Sequence, residues 1–80
     1  MDASRLQAAL VRELQDVWYR YALSILRDPE QAKDAAQETA LRFLKGLAGF
    51  RGESRLKTWS LGIATNVCRE RLRKRKKQPL

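Results

Sequence analysis

The stretch Phe50–Lys77, FRGESRLKTWSLGIATNVCRERLRKRKK, decides the fold. It opens with a glycine-bearing loop, Phe50–Ser54, continues into an amphipathic segment around Trp59, and ends in a run of Lys and Arg. At about 100° per residue, the apolar side chains of this segment fall in one arc and the polar ones in another. The stretch therefore predicts a helix with one core face, and its loop, polar face and basic end should form one surface.

This predicted third helix has two distinct faces. Its core face consists of Leu56, Ser60, Leu61, Ile63, Ala64, Val67 and Cys68. Its polar stripe consists of Thr58, Gly62, Thr65, Asn66, Arg69, Arg73 and Lys76, with Trp59 on the border. Ser54 or Thr58 is the candidate N-cap, and the helix should extend to about Arg75 before Gln78-Pro79 closes the chain.

A first helix is predicted from about Ser4 to Arg27, because apolar residues recur there every three or four positions. They are Leu6, Leu10, Leu14, Val17, Tyr21 and Ile25, and the stripe is broadened by Val11, Trp18 and Ala22. Asp28-Pro29-Glu30-Gln31 then predicts a tight corner. Asp28 is the expected N-cap of the next helix, Pro29 its first residue, and Gln31 is placed to reach back as in a capping box.

The second helix is predicted to run to about Lys45 and to end at Gly46 and Gly49. Its core side is Ala32, Ala35, Ala36, Ala40, Phe43, Leu44 and Leu47. Its other side is Asp34, Gln37, Glu38, Leu41, Arg42 and Lys45. This second side is either a solvated face, with Glu38 and Arg42 as a helix-supporting pair, or a protein-docking face centred on Leu41 and Arg42. No stretch alternates as a strand does, so the fold class is all-α, a compact bundle of three main helices with a basic C-terminal helix end.

The positive charge lies in one third of the chain. Residues 1–50 carry seven basic and seven acidic residues, whereas residues 51–80 carry ten basic and two acidic ones, which accounts for the whole net charge of +8. Eighty residues make one small domain. A neutral body with a basic third favours a polyanionic partner, either nucleic acid or an acidic membrane surface.

The composition argues against several functional classes. There is no histidine and one cysteine, Cys68, so one chain cannot build a disulfide or a Cys/His zinc site. Cys68 falls in the predicted core face, where it is expected to act as a small buried hydrophobe. No nucleophile stands beside an evident base, so we expect no enzyme, catalytic residue, cofactor, metal or small-molecule substrate. Without a membrane span or a signal sequence, the expected location is cytoplasmic.

The polar stripe suits nucleic acid. Its small residues would let a backbone approach, Asn66 offers a bidentate amide edge, and its cations lie where phosphates would run. The alternative is an ordinary solvated helix face. Phe50 has two interpretations as well, since it either stacks on an unpaired base or packs the loop onto the core. Trp59, on the border of the core face, could likewise be a core residue or meet a ligand.

Four motifs occur in order: Asp28-Pro29-Glu30, the segment Asp34–Thr39 (DAAQET), the segment Phe50–Trp59 (FRGESRLKTW), and Ile63-Ala64-Thr65-Asn66 before a basic helix end. Together they closely resemble conserved region two of the extracytoplasmic-function sigma factors of bacterial RNA polymerase, in the sigma-70 family. The resemblance covers roughly residues 10–77. It implies that residues 1–77 are a sigma region two domain, and that residues 78–80 begin a linker towards an absent region four.

The resemblance also implies roles for the two polar surfaces. The second helix would dock on the clamp coiled coil of the β′ subunit of core polymerase through Asp34, Gln37, Glu38, Leu41 and Arg42. The loop and third helix would bind the non-template strand of the minus-ten promoter element, with Phe50 in the pocket for a flipped base. The implied DNA-binding residues are Phe50, Arg51, Ser54, Lys57, Thr58, Trp59, Gly62, Thr65, Asn66, Arg69, Arg73 and Lys76. Lys74–Lys77 would serve mainly for non-specific attraction.

The leading hypothesis is thus a promoter-specificity module that docks on core polymerase and recognises and melts the minus-ten element. One alternative is a small helical protein-interaction module with a generic polyanion-binding tail, for which an acidic anti-sigma factor is a candidate partner. Another is a binder of double-stranded DNA of the helix-turn-helix kind.

Overall fold

Three helices form the chain, and each packs against the other two, in a computed structural model that describes residues 3–77. Helix α1 spans Ala3–Leu26, α2 spans Pro29–Leu47 and α3 spans Leu56–Lys77. This architecture confirms the predicted all-α bundle. Met1, Asp2 and the predicted linker at 78–80 lie outside the described residues.

The corner between α1 and α2 forms as the sequence predicts, apart from Gln31. The side-chain oxygen of Asp28 accepts hydrogen bonds from the backbone N–H groups of Glu30, at 2.9 Å, and Gln31, at 3.3 Å. Pro29 is the first helical residue. The prediction that Gln31 reaches back was wrong: its side-chain oxygen accepts from Nε of Arg75 in α3, at 2.9 Å. A charged guanidinium is the stronger donor, so the interhelical bond is favoured over the local one.

The buried face of α1 includes most of the predicted stripe and extends beyond it to Leu26. Its fully buried residues are Trp18, Ala22 and Leu26, whereas Leu6 in the predicted stripe is 52% exposed. Of the other stripe residues, Leu10, Val11, Leu14, Tyr21 and Ile25 are partly buried and pack against the core. Because α1 packs on two helices at once, the large indole of Trp18 lies at the centre of the bundle.

Four aromatic rings form a row through the bundle, which we call the aromatic row. The ring centroids of Trp18 and Phe43 are 5.2 Å apart, and those of Phe43 and Trp59 are 5.5 Å apart. Phe50 extends the row, with its centroid 4.9 Å from that of Trp59 and the two rings inclined at 62°. Tilted and edge-to-face pairs of this kind add about 0.5–1.5 kcal/mol each beyond the area they bury. The α2–α3 loop is thereby connected to the core.

Polar groups inside the bundle are satisfied. Nε1 of Trp18 donates to Oγ of Ser60 at 2.8 Å, and both residues are fully buried. Thr39, which the predicted core side of α2 omitted, is also buried, and its hydroxyl donates to the Ala35 carbonyl at 2.8 Å. Within residues 3–77, every buried side-chain nitrogen or oxygen has a hydrogen-bond partner. The core can therefore include these residues without the penalty for an unpaired buried polar group.

The ends of α2 and α3 differ from the prediction. Gly46 does not end α2 but lies in its last turn, where a Cβ atom would come within 3.0 Å of the Trp59 ring. Helix α3 begins at Leu56, and the backbone N–H of Trp59 donates to the carbonyl of Arg55. Neither Ser54 nor Thr58 is therefore the N-cap. A cap contributes about 1 kcal/mol, which is less than the burial of a large aromatic side chain, and Trp59 in the first turn of α3 packs against Phe43 and Phe50. Leu44, predicted as core, is 37% exposed.

Replacing Gly46 by Ala should lower the free energy of unfolding by about 1–3 kcal/mol, because the new methyl group would displace the Trp59 indole from its packed position. Gly62→Ala is the matched control, since no heavy atom lies within 4 Å of a Cβ built there. That control should instead raise the free energy of unfolding by up to about 1 kcal/mol, as glycine is a poor helix former. Chemical denaturation of both variants checks this, and equal effects would contradict the packing role of Gly46.

Candidate functional site

The α2–α3 loop forms a concavity of 210 Å³ beside the end of the aromatic row. Its lining residues are Gly49, Phe50, Arg51, Glu53, Ser54 and Trp59. Gly52 turns the loop with φ +74°, a left-handed conformation that glycine adopts without strain. Phe50 and Trp59 are half-buried, while Arg51 and Ser54 are exposed. Phe50 therefore packs on the core through Trp59, as one of the two sequence interpretations predicts, and the residue is still partly accessible to solvent. Stacking on an unpaired base stays a prediction.

The polar stripe of α3 is solvent-facing along most of its length. Its exposed members are Thr58, Gly62, Asn66, Arg69, Arg73 and Lys76. Thr65 differs, because it is half-buried and its hydroxyl lies 2.7 Å from the hydroxyl of Tyr21 and donates to the Leu61 carbonyl at 2.8 Å. Thr58 and Lys76 are about 27 Å apart at 1.5 Å rise per residue, so the stripe would extend well beyond the loop concavity. Lys57, next to the stripe, is exposed as well.

A second concavity, of 600 Å³, lies between α2 and α3, and we call it the arginine cleft. Its lining residues are Arg42, Asn66, Arg69, Glu70, Leu72 and Arg73. It brings three members of the polar stripe together with Arg42, which the sequence had placed on a different surface. The two predicted surfaces thus meet at this cleft.

Arg42 is held by two carboxylates. Its Nη1 and Nη2 donate to Oε2 and Oε1 of Glu70, both at 2.8 Å, and its Nε donates to Oε2 of Glu38 at 2.9 Å. The Glu38 pair confirms the sequence prediction, whereas Glu70 was missed. The bonds with Glu70 and Glu38 raise the pKa of the Arg42 guanidinium, and the bond with Arg42 lowers the pKa of the Glu70 carboxyl. The signal available in the sequence was that Glu70 is an isolated acid within a basic run.

The remaining members of the predicted docking face lie on the outer side of α2. Asp34, Gln37 and Leu41 are exposed, and Leu41 is 58% exposed despite its apolar side chain. Glu38 and Arg42 are half-buried and bonded to each other. Leu44 lies three residues after Leu41, so the two exposed leucines share this side of the helix.

The family model described as Sigma-70 region 2 matches residues 10–78 of the chain. The chain belongs to the sigma-70 region 2 family. It is similar to the ECF RNA polymerase sigma factor SigG of Mycobacterium tuberculosis, with 44% identity over 69 residues that cover 86% of this chain and 18% of SigG. The RNA polymerase sigma factor YlaC of Bacillus subtilis shares 40% identity over 58 residues, covering 64% of this chain and 34% of YlaC.

The ECF RNA polymerase sigma factor SigC of Mycobacterium tuberculosis shares 35% identity over 74 residues, which cover 92% of this chain and 39% of SigC. These relatives confirm the predicted resemblance to extracytoplasmic-function sigma factors. The chain spans less than two fifths of the length of each of these curated relatives. No solved structure matches the chain.

Within residues 3–77 of this sigma region 2 domain, three side-chain hydrogen bonds join α1 to α3. Two were described above, from Trp18 to Ser60 and between Tyr21 and Thr65. In the third, Nη2 of Arg75 donates to the carbonyl of Leu26, at 2.9 Å. Sequence reasoning missed all three, because no periodic pattern within one helix reports on partners 42 to 49 positions away.

Arg75 therefore differs from its basic neighbours. The sequence predicts for Lys74–Lys77 as a group a non-specific attraction of nucleic acid. It is half-buried, and its guanidinium is bonded to both sides of the α1–α2 corner, at Leu26 and Gln31. Lys74, Lys76 and Lys77 are exposed. The last carbonyls of a helix lack intrahelical partners, and Arg75 supplies one for α1.

Within residues 3–77, no group of three or more His, Cys, Asp or Glu side chains could hold a metal ion. No helix in the same range is long and apolar enough to span a bilayer.

Cys68 is buried as predicted, and burial raises the pKa of its thiol. Its sulfur is accordingly a packing group in the core.

Arg75→Ala should lower the free energy of unfolding of the sigma region 2 domain by about 1–3 kcal/mol, because it removes two charge-assisted hydrogen bonds at the α1–α2 corner. Lys77→Ala removes the same charge from an exposed position and should change the free energy of unfolding by no more than about 0.5 kcal/mol. Urea denaturation of the two variants gives the comparison. Indistinguishable midpoints would remove Arg75 from this structural role.

Proposed function

We propose that this chain is the promoter-recognition module of a sigma factor, which docks on RNA polymerase core and recognises and helps melt the minus-ten element. Residues 1–77 act as one unit in this proposal. The observation that carries it is the continuity of the loop concavity, the polar stripe and the arginine cleft along one loop and helix, in a chain of the sigma-70 region 2 family. The similar proteins are named as sigma factors of RNA polymerase.

The loop concavity captures a base that is flipped out of the non-template strand. Extruding a base costs a few kcal/mol, which several kinds of contact must offset together. Phe50 supplies a partly accessible aromatic ring, Asn66 an exposed amide that can read a base edge, and Arg69 and Arg73 exposed cations for phosphates. Arg51, Ser54, Lys57, Thr58, Trp59, Gly62 and Lys76 complete the strand-facing surface. Thr65 contributes by holding the stripe to α1 through Tyr21.

Helix α2 docks on the clamp coiled coil of the β′ subunit. Its outer side offers an exposed leucine, Leu41, flanked by the polar side chains of Asp34 and Gln37. Such a mixture of an apolar centre and a polar rim suits a protein interface. An anti-sigma factor is a further partner, drawn to the basic surface of α3. The module binds its partners in the cytoplasm and catalyses no reaction of its own.

Phe50→Leu should weaken binding to a single-stranded non-template minus-ten oligonucleotide by about 5- to 150-fold, which corresponds to the loss of about 1–3 kcal/mol of base stacking. Phe50→Tyr keeps the ring and should stay close to the parent. The pair separates stacking from packing, because leucine retains apolar bulk against Trp59. Fluorescence anisotropy with the labelled strand measures both affinities, and wild-type binding by Phe50→Leu would refute the pocket assignment.

A second candidate function, a generic polyanion binder, is favoured by the exposed cations Lys74, Lys76 and Lys77. It predicts that a scrambled oligonucleotide and anionic vesicles bind as tightly as the promoter strand. A helix-turn-helix type of binder would instead prefer duplex over single strand. The same anisotropy series, extended to these ligands, decides among the three.

Glu38→Lys should weaken binding to a fragment of the β′ coiled coil by about 5- to 30-fold, or about 1–2 kcal/mol, because it reverses a charge on the docking face and removes the acceptor of the Arg42 Nε. Glu13→Lys makes the same charge reversal on an exposed residue of α1 and serves as the control. Calorimetric titration of the fragment into each variant gives the affinities. Equal affinities for Glu38→Lys and the parent would remove α2 from docking.

A further inference from the structure

The Glu70 carboxylate lies where a phosphate-binding surface would least accommodate an acid. It lines the arginine cleft with Asn66, Arg69 and Arg73. These three neighbours belong to the polar stripe, and all three are exposed. A DNA strand that follows the stripe would therefore pass a negative charge in the middle of its positive ones.

The contact with Arg42 does not by itself explain Glu70 as a stabilising residue. The side chains of Arg42 and Glu70 are 36% and 41% exposed. Ion pairs with this much solvent contribute little to folding, even with good geometry. The bridge does, however, fix where both charges point, because a bidentate guanidinium–carboxylate pair has one preferred geometry.

The bridge has two electrostatic consequences for the cleft. It directs the two terminal nitrogens of Arg42 at Glu70, so they are not free to meet a phosphate. It also keeps Glu70 ionised, since the bond with Arg42 lowers the pKa of that carboxyl. The cleft thus contains three arginines, of which Arg42 is bonded to Glu70, and the negative charge of Glu70 itself.

Phosphate contacts are the part of nucleic-acid binding that does not depend on sequence. An acid among the cations lowers the affinity that phosphate contacts contribute, and it does so for every strand alike. Stacking in the loop concavity and base-edge contacts are unaffected. We infer that Glu70 is a specificity-determining residue, which restrains sequence-independent phosphate binding in the arginine cleft by repelling phosphates and by occupying Arg42. This inference rests on the proposed function, because it presumes that a nucleic-acid strand runs along the polar stripe.

The test is Glu70→Gln, which keeps the size of the side chain and removes its charge. Its affinity for a scrambled DNA duplex at low salt should rise about 3- to 10-fold over the parent. The slope of log affinity against log salt should steepen by about 0.7–0.9 for each additional phosphate contact. The ratio of affinities for the minus-ten strand and a scrambled strand should fall. Glu70→Asp restores the charge and should return the duplex affinity towards that of the parent.

Asp16→Asn is the matched control. Asp16 pairs with Arg20 on the exposed side of α1, so this variant also removes one acid that is bonded to an arginine, away from the cleft. If Asp16→Asn raises duplex affinity as much as Glu70→Gln, the effect is one of net charge alone and the inference is overturned. It is overturned as well if Glu70→Gln binds every ligand as the parent does. Failure of the parent to prefer the minus-ten strand over the scrambled strand would instead refute the proposed function, so the two failures are distinguishable.

Discussion

Trp18 is the residue on which the three-helix arrangement depends. It belongs to α1, its ring contacts Phe43 of α2, and its indole nitrogen donates to Ser60 of α3. It is fully buried, and an aromatic side chain of this size removes about 150–250 Å² from water. At about 25 cal/mol per Å², that burial contributes on the order of 4–6 kcal/mol. This gross contribution is comparable with the whole net free energy of unfolding of a small domain, which is about 5–15 kcal/mol.

The aromatic row connects Trp18 in the core to the α2–α3 loop. Phe43 contacts Trp59, and Trp59 contacts Phe50, so the loop is anchored at the wall of its own concavity. Gly46 permits this arrangement, because any side chain there would meet the Trp59 ring. A loop on a rigid scaffold can present side chains in a defined geometry at little cost in conformational entropy. The half-buried Phe50 is positioned in this way.

The basic third of the chain is less uniform than its composition suggests. Arg75 is bonded to the α1–α2 corner, and the acid Glu70 within this third is paired with Arg42 of α2. Lys74, Lys76 and Lys77 remain exposed. The electrostatic surface that a polyanion would meet is accordingly smaller and more patterned than a net charge of +8 implies.

The sequence by itself determined the three helices, the Asp28-Pro29 corner, the core face of α3 and the Glu38–Arg42 pair. The motif order also identified the family, and residues 10–78 match it. These features depend on residues within about four positions of one another, or on motif spelling, so they are readable along the chain. The roles assigned to individual residues of the loop, the stripe and the docking face stay predictions.

Only the tertiary structure decided which residues of α1 are fully buried, the role of Gly46, the start of α3 and the partners of Gln31, Thr65, Glu70 and Arg75. The bonds concerned join residues 28 positions apart for Arg42 and Glu70, 42 for Trp18 and Ser60, and 49 for Arg75 and Leu26. Which side chains meet over such separations depends on how whole helices pack. Helix packing is set by side-chain volumes across the bundle, and local hydrogen-bonding preferences are too weak to oppose it.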